Sequence, residues 1–482
     1  MSKNQANSKN PPFFVPPYPP LYPNGDSDPK SNGNEHMAEK TLHIGLDDTD
    51  STRRGCTTYI AAVLVEELEK LGVCFFDYPN LVRLNPNVPW KTRGNGALCL
   101  RIRYDEDLED RIKKKTLNLV EKYSELESKG TDPGVVFFRR PTIPRQVRAY
   151  ATRATTGVVK LREALDLLAR HKAEALGFKN GRGIIGALAA VGETLQEDHT
   201  YEILAYRAPK NWGTKRRVDE ASIFQMDRVT APCTFNNVDT EKGRVIITPR
   251  GPDPILFGIR GETAEAVKKA FQIVKALEPI ERWVIFRTNQ GTDAHLRRVP
   301  KLSVLTPHSS VIVKGTVSAT PRIVPKRHTI FSIKDETTEV DCAAFEPTNV
   351  LRRTAMKLMV GDAVEAFGAV KSPSRSNPLT INLEKIRVMK LELKLVYQNP
   401  LCPKCGKRLK SMGKDQGLRC EKCGFKRKDP SRIQVRMKRD LKKGIYITST
   451  RSQRHLTKPL TRYGMEKRSY QGGELIDAWH FP

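Results

Sequence analysis

At 482 residues the chain is too long for one hydrophobic core, and three or four domains are expected. Its 83 Lys and Arg against 54 Asp and Glu give a formal charge of +29, spread over most of the length; nucleic acid is the favoured partner, ahead of an anionic membrane, because no amphipathic anchor stands out. Apolar runs such as residues 184–191 are too short to cross a bilayer, no signal segment is present, and scattered cysteines argue against a disulfide scaffold, so a cytoplasmic protein is expected.

Residues 1–37, rich in Pro, Asn, Ser and Gly ("NPPFFVPPYPPLYPNGDSDPKSNGN"), have too little apolar content to fold alone and are expected to be a disordered extension. An α/β pattern follows over 38–195, a unit that another domain could interrupt. Strand "TLHIGL" leads into an acidic loop, then a helix from about Thr57 to Leu71 with apolar residues at helical spacing. "GALCLRIRY" alternates as a strand, "DEDLEDRIKKKTLNLVEKYSEL" is an amphipathic helix, and one long helix is expected after "TDPGVVFFRRP", ending near Leu176 before "GRGIIGALAAVG". Strands "TYEILAYR", "RVIITPRG" and "RWVIFRTNQG", with a helix over 262–277, form a second α/β unit over 196–300. Residues 301–396 read as five strands with a helix between the third and fourth, the order of an OB barrel, a fold used for single-stranded nucleic acid. A cysteine-rich segment, 397–428, and a basic tail, 429–482, complete the chain.

Cys402, Cys405, Cys420 and Cys423 give C-x2-C, fourteen residues, C-x2-C, with Gly406 and Gly424 after each second cysteine. Four thiolates on two knuckles fit a closed, structural zinc site, and Lys404, Lys407, Arg408, Lys410, Lys426, Arg427 and Lys428 around it suit a phosphate backbone. The acidic loop "GLDDTDS" sets Asp47, Asp48 and Asp50 beside the hydroxyls of Thr49 and Ser51, hard oxygen donors suited to magnesium, although Asp50 or Ser51 could instead cap the next helix. Two basic glycine loops could meet phosphates. "WKTRGNGA" supplies Lys91, Arg93, Gly94, Asn95 and Gly96, and "GRGIIGALAA" supplies Gly181, Arg182, Gly183 and Gly186 at a helix start. Neither loop has the P-loop arrangement.

"GLDDTDS" with "GCTT", "RLNPNVPWKTRGNGA", "GRGIIGALAAVG", "ITPRGPDPILFGIRGE" and "RTNQGTDAHL", in that order and followed by a barrel and a four-cysteine ribbon, resemble the archaeal agmatidine synthetases, which act on tRNA(Ile). The resemblance covers nearly all of residues 40–430. It implies a multidomain α+β protein: a kinase-like catalytic domain, a ferredoxin-like domain, an OB fold and a zinc ribbon. It implies ATP, Mg2+ and Zn2+ as cofactors, agmatine as co-substrate, and a tRNA with a CAU anticodon whose wobble cytidine becomes 2-agmatinylcytidine, so that AUA is read. The C2 oxygen would be phosphorylated and then displaced by the amine, while ATP ends as AMP. On this resemblance Asp47, Asp48 and Asp50 would hold the metal, Thr57 of "CTT" would accept phosphate, Lys91 and Arg93 would offset phosphate charge, and residues 94–96 and 181–186 would approach ATP. Asp253 and Asp293 are candidates for the guanidinium end of agmatine, or turn residues; His295 reads as structural.

Two other classes compete. "DTDST" also fits the nucleophile loop of haloacid-dehalogenase-type phosphotransferases, with Asp48 as phosphoaspartate, but that leaves the RNA-binding half without a purpose. A non-enzymatic OB and zinc-ribbon factor leaves the first 290 residues without one. The S-G-G-x-D-S loop of the lysine-attaching bacterial route is absent.

Overall fold

The computed structural model describes residues 13–15, 39–374, 378–413, 415–470 and 475–482. One long sheet organises the first 290 residues. Its order is Phe13–Val15, Glu174–Gly177, Gly134–Phe138, Lys40–Asp47, Gly96–Tyr104, Asn80–Arg83, Ile280–Thr288, Thr200–Arg207, Ile255–Gly261, Thr234–Phe235. The expected boundary between units at 195/196 therefore crosses a continuous sheet. Strand Asn80–Arg83 pairs in parallel with Ile280–Thr288 in the register Asn80 to Arg287 and Leu81 to Thr288.

Side chains reinforce that joint. Arg287, almost fully buried, donates from Nε to Asp77 Oδ1 at 3.0 Å, and Thr288 Oγ1 donates to the Leu81 carbonyl at 2.6 Å. Beyond the last strand rung, Asn289 receives the Arg83 amide on Oδ1 at 2.8 Å and donates Nδ2 to the Arg83 carbonyl at 3.0 Å. Its amide thus continues the ladder by one residue with side-chain atoms.

In the first half, helix Ile184–Gly192 packs against strand Lys40–Asp47, closely enough that a Cβ on Gly45 would lie 2.2 Å from the Ala187 carbonyl oxygen. Helix Thr57–Glu69 packs beside Glu109–Tyr123. The second half runs β-α-β-β-α-β, and its four strands lie in the spatial order fourth, first, third, second, all antiparallel.

Residues 310–390 close into a five-stranded barrel. Ser310–Val317 pairs with both Ala363–Lys371 and His328–Lys334, and Glu339–Ala344 and Thr380–Lys390 complete the circuit, with helix Val350–Ala355 between the third and fourth barrel strands. Two buried charges on strand Thr380–Lys390 clasp this barrel to the rest. Glu384 contacts His295 Nε2 at 3.0 Å and accepts from Thr457 Oγ1 at 3.2 Å; Lys385 Nζ pairs with Asp293 Oδ2 at 2.5 Å and donates to the Lys458 carbonyl at 2.9 Å.

Four expectations need correction. Of the N-terminal extension, Phe13–Val15 is not disordered but adds an edge strand to Glu174–Gly177, consistent with the strand preference of "FFV"; the rest of 1–37, including Met37, lies outside the described residues. The long helix ending near Leu176 is two helices, Arg145–Thr156 and Leu161–Arg170, followed by a strand, because Gly157 leaves helical geometry at the first C-cap. "RVIITPRG" keeps only Arg244–Val245 in a strand. The tail after 428 is not an appendage. Ile433–Met437 pairs with Lys394–Gln398, Gly444–Ile447 adds to the barrel strand Thr380–Lys390, and His480–Phe481 pairs with Ile280–Thr288. Arg462, fully buried, fixes this return through Glu262 (Nε to Oε1, 2.6 Å) and Asp198 (Nη2 to Oδ1, 2.9 Å). Among the described residues no helix is long and apolar enough to cross a membrane.

Breaking the barrel clasp should be costly. Lys385→Ala leaves the partly buried Asp293 without its cation and should destabilise the protein by about 1–3 kcal/mol, read by denaturant unfolding, because a desolvated group that loses its partner costs more than a missing surface pair.

Candidate active site

A cavity of about 770 Å³ opens where the two halves of the sheet meet and is within the range of small-molecule and cofactor sites. Its walls come from the acidic loop (Asp47, Asp48, Asp50), the start of helix Thr57–Glu69, the loop 88–96, strand Thr200–Arg207, Asp253 and the returning tail at 450–456.

The acidic loop follows strand Lys40–Asp47 and turns immediately. Asp48 adopts φ 58°, so adjacent carboxylates need not point to opposite faces as they would in a continuing strand. Asp48 Oδ2 accepts from Arg182 Nη2 at 2.6 Å and Nε at 3.0 Å. Asp50 Oδ2 accepts from Arg93 Nε at 2.6 Å. Neither Asp50 nor Ser51 caps the helix: the N-cap is Cys56, with no side-chain cap bond. Burial, reinforced by Asp48, raises the Asp47 carboxyl well above the usual range, and burial lifts Asp48 to about 6 against the pull of Arg182. Crowded, buried acids of this kind, Asp47 and Asp48 foremost, fit a hard divalent cation. The three carboxylates do not converge on one point. Among the described residues the only group of three or more His, Cys, Asp or Glu with all ligand atoms within 4.8 Å is the cysteine set.

Thr57 lines the cavity from the first turn of its helix, its hydroxyl accepting from Thr49 Oγ1 at 2.9 Å. Lys91, Arg93, Gly94, Asn95 and Gly96 line it too; Lys91 Nζ donates to the Arg93 carbonyl at 2.7 Å, and burial lowers the Lys91 amine. In the second glycine run only Arg182, Ile185 and Gly186 reach the cavity. Gly181 and Gly183 do not: their amides are already bonded within the chain, to the carbonyls of Phe178 (2.9 Å) and Asp132 (2.8 Å). A Cβ on Gly183 would meet the Gly134 amide at 2.3 Å, and one on Gly186 would meet Asp47 Oδ2 at 1.9 Å. That run brings a helix against the acidic loop.

Asp253 lies on the cavity wall, between Arg93 Nη1 (3.5 Å) and Arg216 Nη2 (3.2 Å). Asp293 does not line it. Its carboxylate is taken by Lys385 and by the Lys458 amide at 2.7 Å, which makes it a barrel contact; His295 beside it is structural, as expected. Sequence reasoning missed Arg83, Glu202, Arg260, Arg454 and His455, all on the cavity wall. The first belongs to a quoted motif, "RLNPNVPWKTRGNGA", but the tail residues carry no local signal.

The cysteine sulfurs pair across at 3.5 Å (Cys402 to Cys423) and 3.4 Å (Cys405 to Cys420). That is far beyond a disulfide and close to the roughly 3.8 Å edge of a tetrahedron with 2.3 Å Zn–S bonds. The knuckle amides of Gly406 and Gly424 bond back to the Cys402 and Cys420 carbonyls, with φ of 70° and 74° at the two glycines.

Family models match four consecutive stretches: the TiaS TCKD domain over 43–180, the TiaS FLD domain over 181–295, an OB-fold nucleic acid binding domain over 311–389, and the TiaS C-terminal zinc ribbon domain over 399–441. The first two meet at 180/181. The isoleucine-tRNA 2-agmatinylcytidine synthetase TiaS of Methanosarcina mazei is 42% identical over 430 residues, covering 87% of this chain and 97% of that one. Two solved structures are similar along almost their whole length: a complex of TiaS with an isoleucine tRNA and ATP (38% identity, TM-score 0.78, 90% of this chain and 99% of that one) and a complex of TiaS with an isoleucine tRNA, AMPCPP and agmatine (35%, 0.77, 90% and 99%).

Two outcomes follow from this geometry. Gly186→Ala should displace the Asp47 carboxylate, lowering ATP turnover sharply while costing about 1–3 kcal/mol in a melt, as overpacking does. Chelation, or Cys402→Ser, should release about one zinc per chain and loosen 399–441 without removing ATP turnover, measured by metal analysis and local proteolysis.

Proposed function

Because the chain belongs to the family of isoleucine-tRNA 2-agmatinylcytidine synthetases, we propose that it is an ATP-dependent ligase that joins agmatine to the wobble cytidine of the CAU anticodon of tRNA(Ile). The observation that carries this reading is the cavity at the sheet joint, where carboxylates and basic side chains face one space large enough for nucleotide and base. In domain terms, residues up to about 195 are a kinase-like catalytic unit, and the antiparallel 4-1-3-2 order supports a ferredoxin-like reading of the second.

A cytosine C2 carbonyl is a poor electrophile. Phosphorylating its oxygen makes a leaving group; the agmatine amine then adds to C2, the C2–O bond breaks, and phosphate departs with the electron pair. Lys91 and Arg93, both on the cavity wall, would offset phosphate charge as it develops. Asp47 and Asp48 would hold Mg2+, which when bound neutralises phosphate oxygens. Asp50 orients Arg93, in place of the metal-ligand role expected of it. Thr57, at the cavity floor, is the hydroxyl proposed to accept phosphate. Asp253 is the acid proposed for the agmatine guanidinium, with Trp90, half exposed on the same wall, as an aromatic face. The cytidine must leave the anticodon stack to enter, which a single-stranded loop permits at low cost. The barrel and the basic ribbon supply the tRNA grip.

The test is a reaction of the protein with ATP, magnesium, labelled agmatine and a tRNA(Ile) transcript carrying the CAU anticodon, followed by nucleoside mass analysis. Incorporation at the wobble cytidine that needs every component is expected. Asp48→Asn should lower the rate roughly 100-fold or more with tRNA affinity unchanged; loss at the tRNA-binding step would contradict this division of labour.

A further inference from the structure

Within the cavity most cations are already matched. Arg93 pairs with Asp50, Arg182 with Asp48, and Arg260 with Glu202 at 2.9 Å. Among the described residues Arg83, like Lys91 and Arg451, enters no ion pair, and it differs from them in having a buried Nε without a hydrogen-bond partner. Asn289 clamps its backbone on both sides, so the side chain is held at the cavity wall by the sheet itself.

A second donor meets it there. Arg83 Nη1 lies 2.7 Å from where a Cβ on Gly94 would stand, and His455 Nε2 lies 3.3 Å from the same point. His455 Nδ1 is 2.9 Å from both Arg260 Nη2 and Gln290 Oε1. The guanidinium is always charged and can only donate, which outweighs a neutral amide and leaves the ring proton on Nε2, aimed at Gly94. Arg83, burial, Arg260 and Lys91 all keep this ring uncharged. Without a Cβ at Gly94, both side chains, from distant parts of the chain, lie side by side against its backbone on the cavity wall.

We infer that Arg83 and His455 form a phosphoryl-binding subsite over Gly94, separate in its residues from the aspartate loop, which takes a phosphate of the nucleotide or of its pyrophosphate product. An arginine without a carboxylate and a neutral imidazole beside it, both on the cavity wall, match phosphate oxygens better than any cation or apolar group. His455 lies beyond residue 441, where the last matched family domain ends. The inference rests on the ATP-dependent reading above and assigns part of its site to the tail.

The test uses the full-length protein and inorganic pyrophosphate as the probe, by calorimetry, with tRNA affinity and agmatidine formation measured in parallel. Arg83→Gln should bind pyrophosphate at least tenfold more weakly, and Arg83→Lys should recover part of that loss. His455→Ala should weaken it and His455→Gln, which keeps an N–H near the same place, should restore it. Gly94→Ala should weaken it by pushing Arg83 and His455 off the backbone they rest on, which covers the case of an Arg83 variant that does not fold. Wild-type affinity in Arg83→Gln or Gly94→Ala, or no binding by the wild type, would overturn the subsite; so would loss of tRNA binding in place of pyrophosphate binding, which would give these donors to the RNA backbone. Wild type that binds pyrophosphate through Arg83 but makes no agmatidine would leave the subsite standing and remove the proposed reaction.

Discussion

Two rungs of parallel pairing, Asn80 with Arg287 and Leu81 with Thr288, are the constraint on which the rest depends. They fuse two α/β units into one sheet, and the cavity exists because both units end their strands there. Parallel pairing by so few residues is weak by itself. The Asp77–Arg287 pair and the Asn289 bracket make it definite. A slip of one residue would turn Arg83 to the opposite face of the sheet; register here is thus a matter of active-site composition as well as stability.

The glycine run 181–186 shows how one sequence signal can carry two meanings. Read locally, glycines opening a helix suggest amides waiting for an anion. In the fold, Gly183 lies against Gly134, and Gly186 gives its missing Cβ to the Asp47 carboxylate. Bringing a helix this close is what buries the acids and raises them, so the glycines act on the site through packing. Arg182, between them, is the only residue of that loop whose side-chain charge meets the acidic loop directly.

What was legible in the sequence had local form. The acidic loop after its strand, the cysteine spacing with its glycines, the barrel's strand and helix order and most helices are each written within a few dozen residues. The break at Gly157 was hidden because helical spacing continues on both sides of it. Asp293 is a ligand candidate in the sequence because a guanidinium needs an acid, its neighbours favour a turn residue instead, and only the position of Lys385, 92 residues later, shows where its charge goes. The fusion of two sheets and the course of the tail are long-range pairings, which no periodicity records. Arg454 and His455 belong to the cavity for that reason alone.

The returning tail ties the cavity to segments far apart along the chain. Strand His480–Phe481 pairs inside the sheet with Ile280–Thr288, and residues 450–456 finish the cavity wall. The acidic loop of the site comes from the first sheet unit, whereas the wall that encloses it comes from beyond the barrel. Enclosure therefore waits on contacts of long sequence separation: the joined sheet and the barrel must both be in place before the chamber has all its sides.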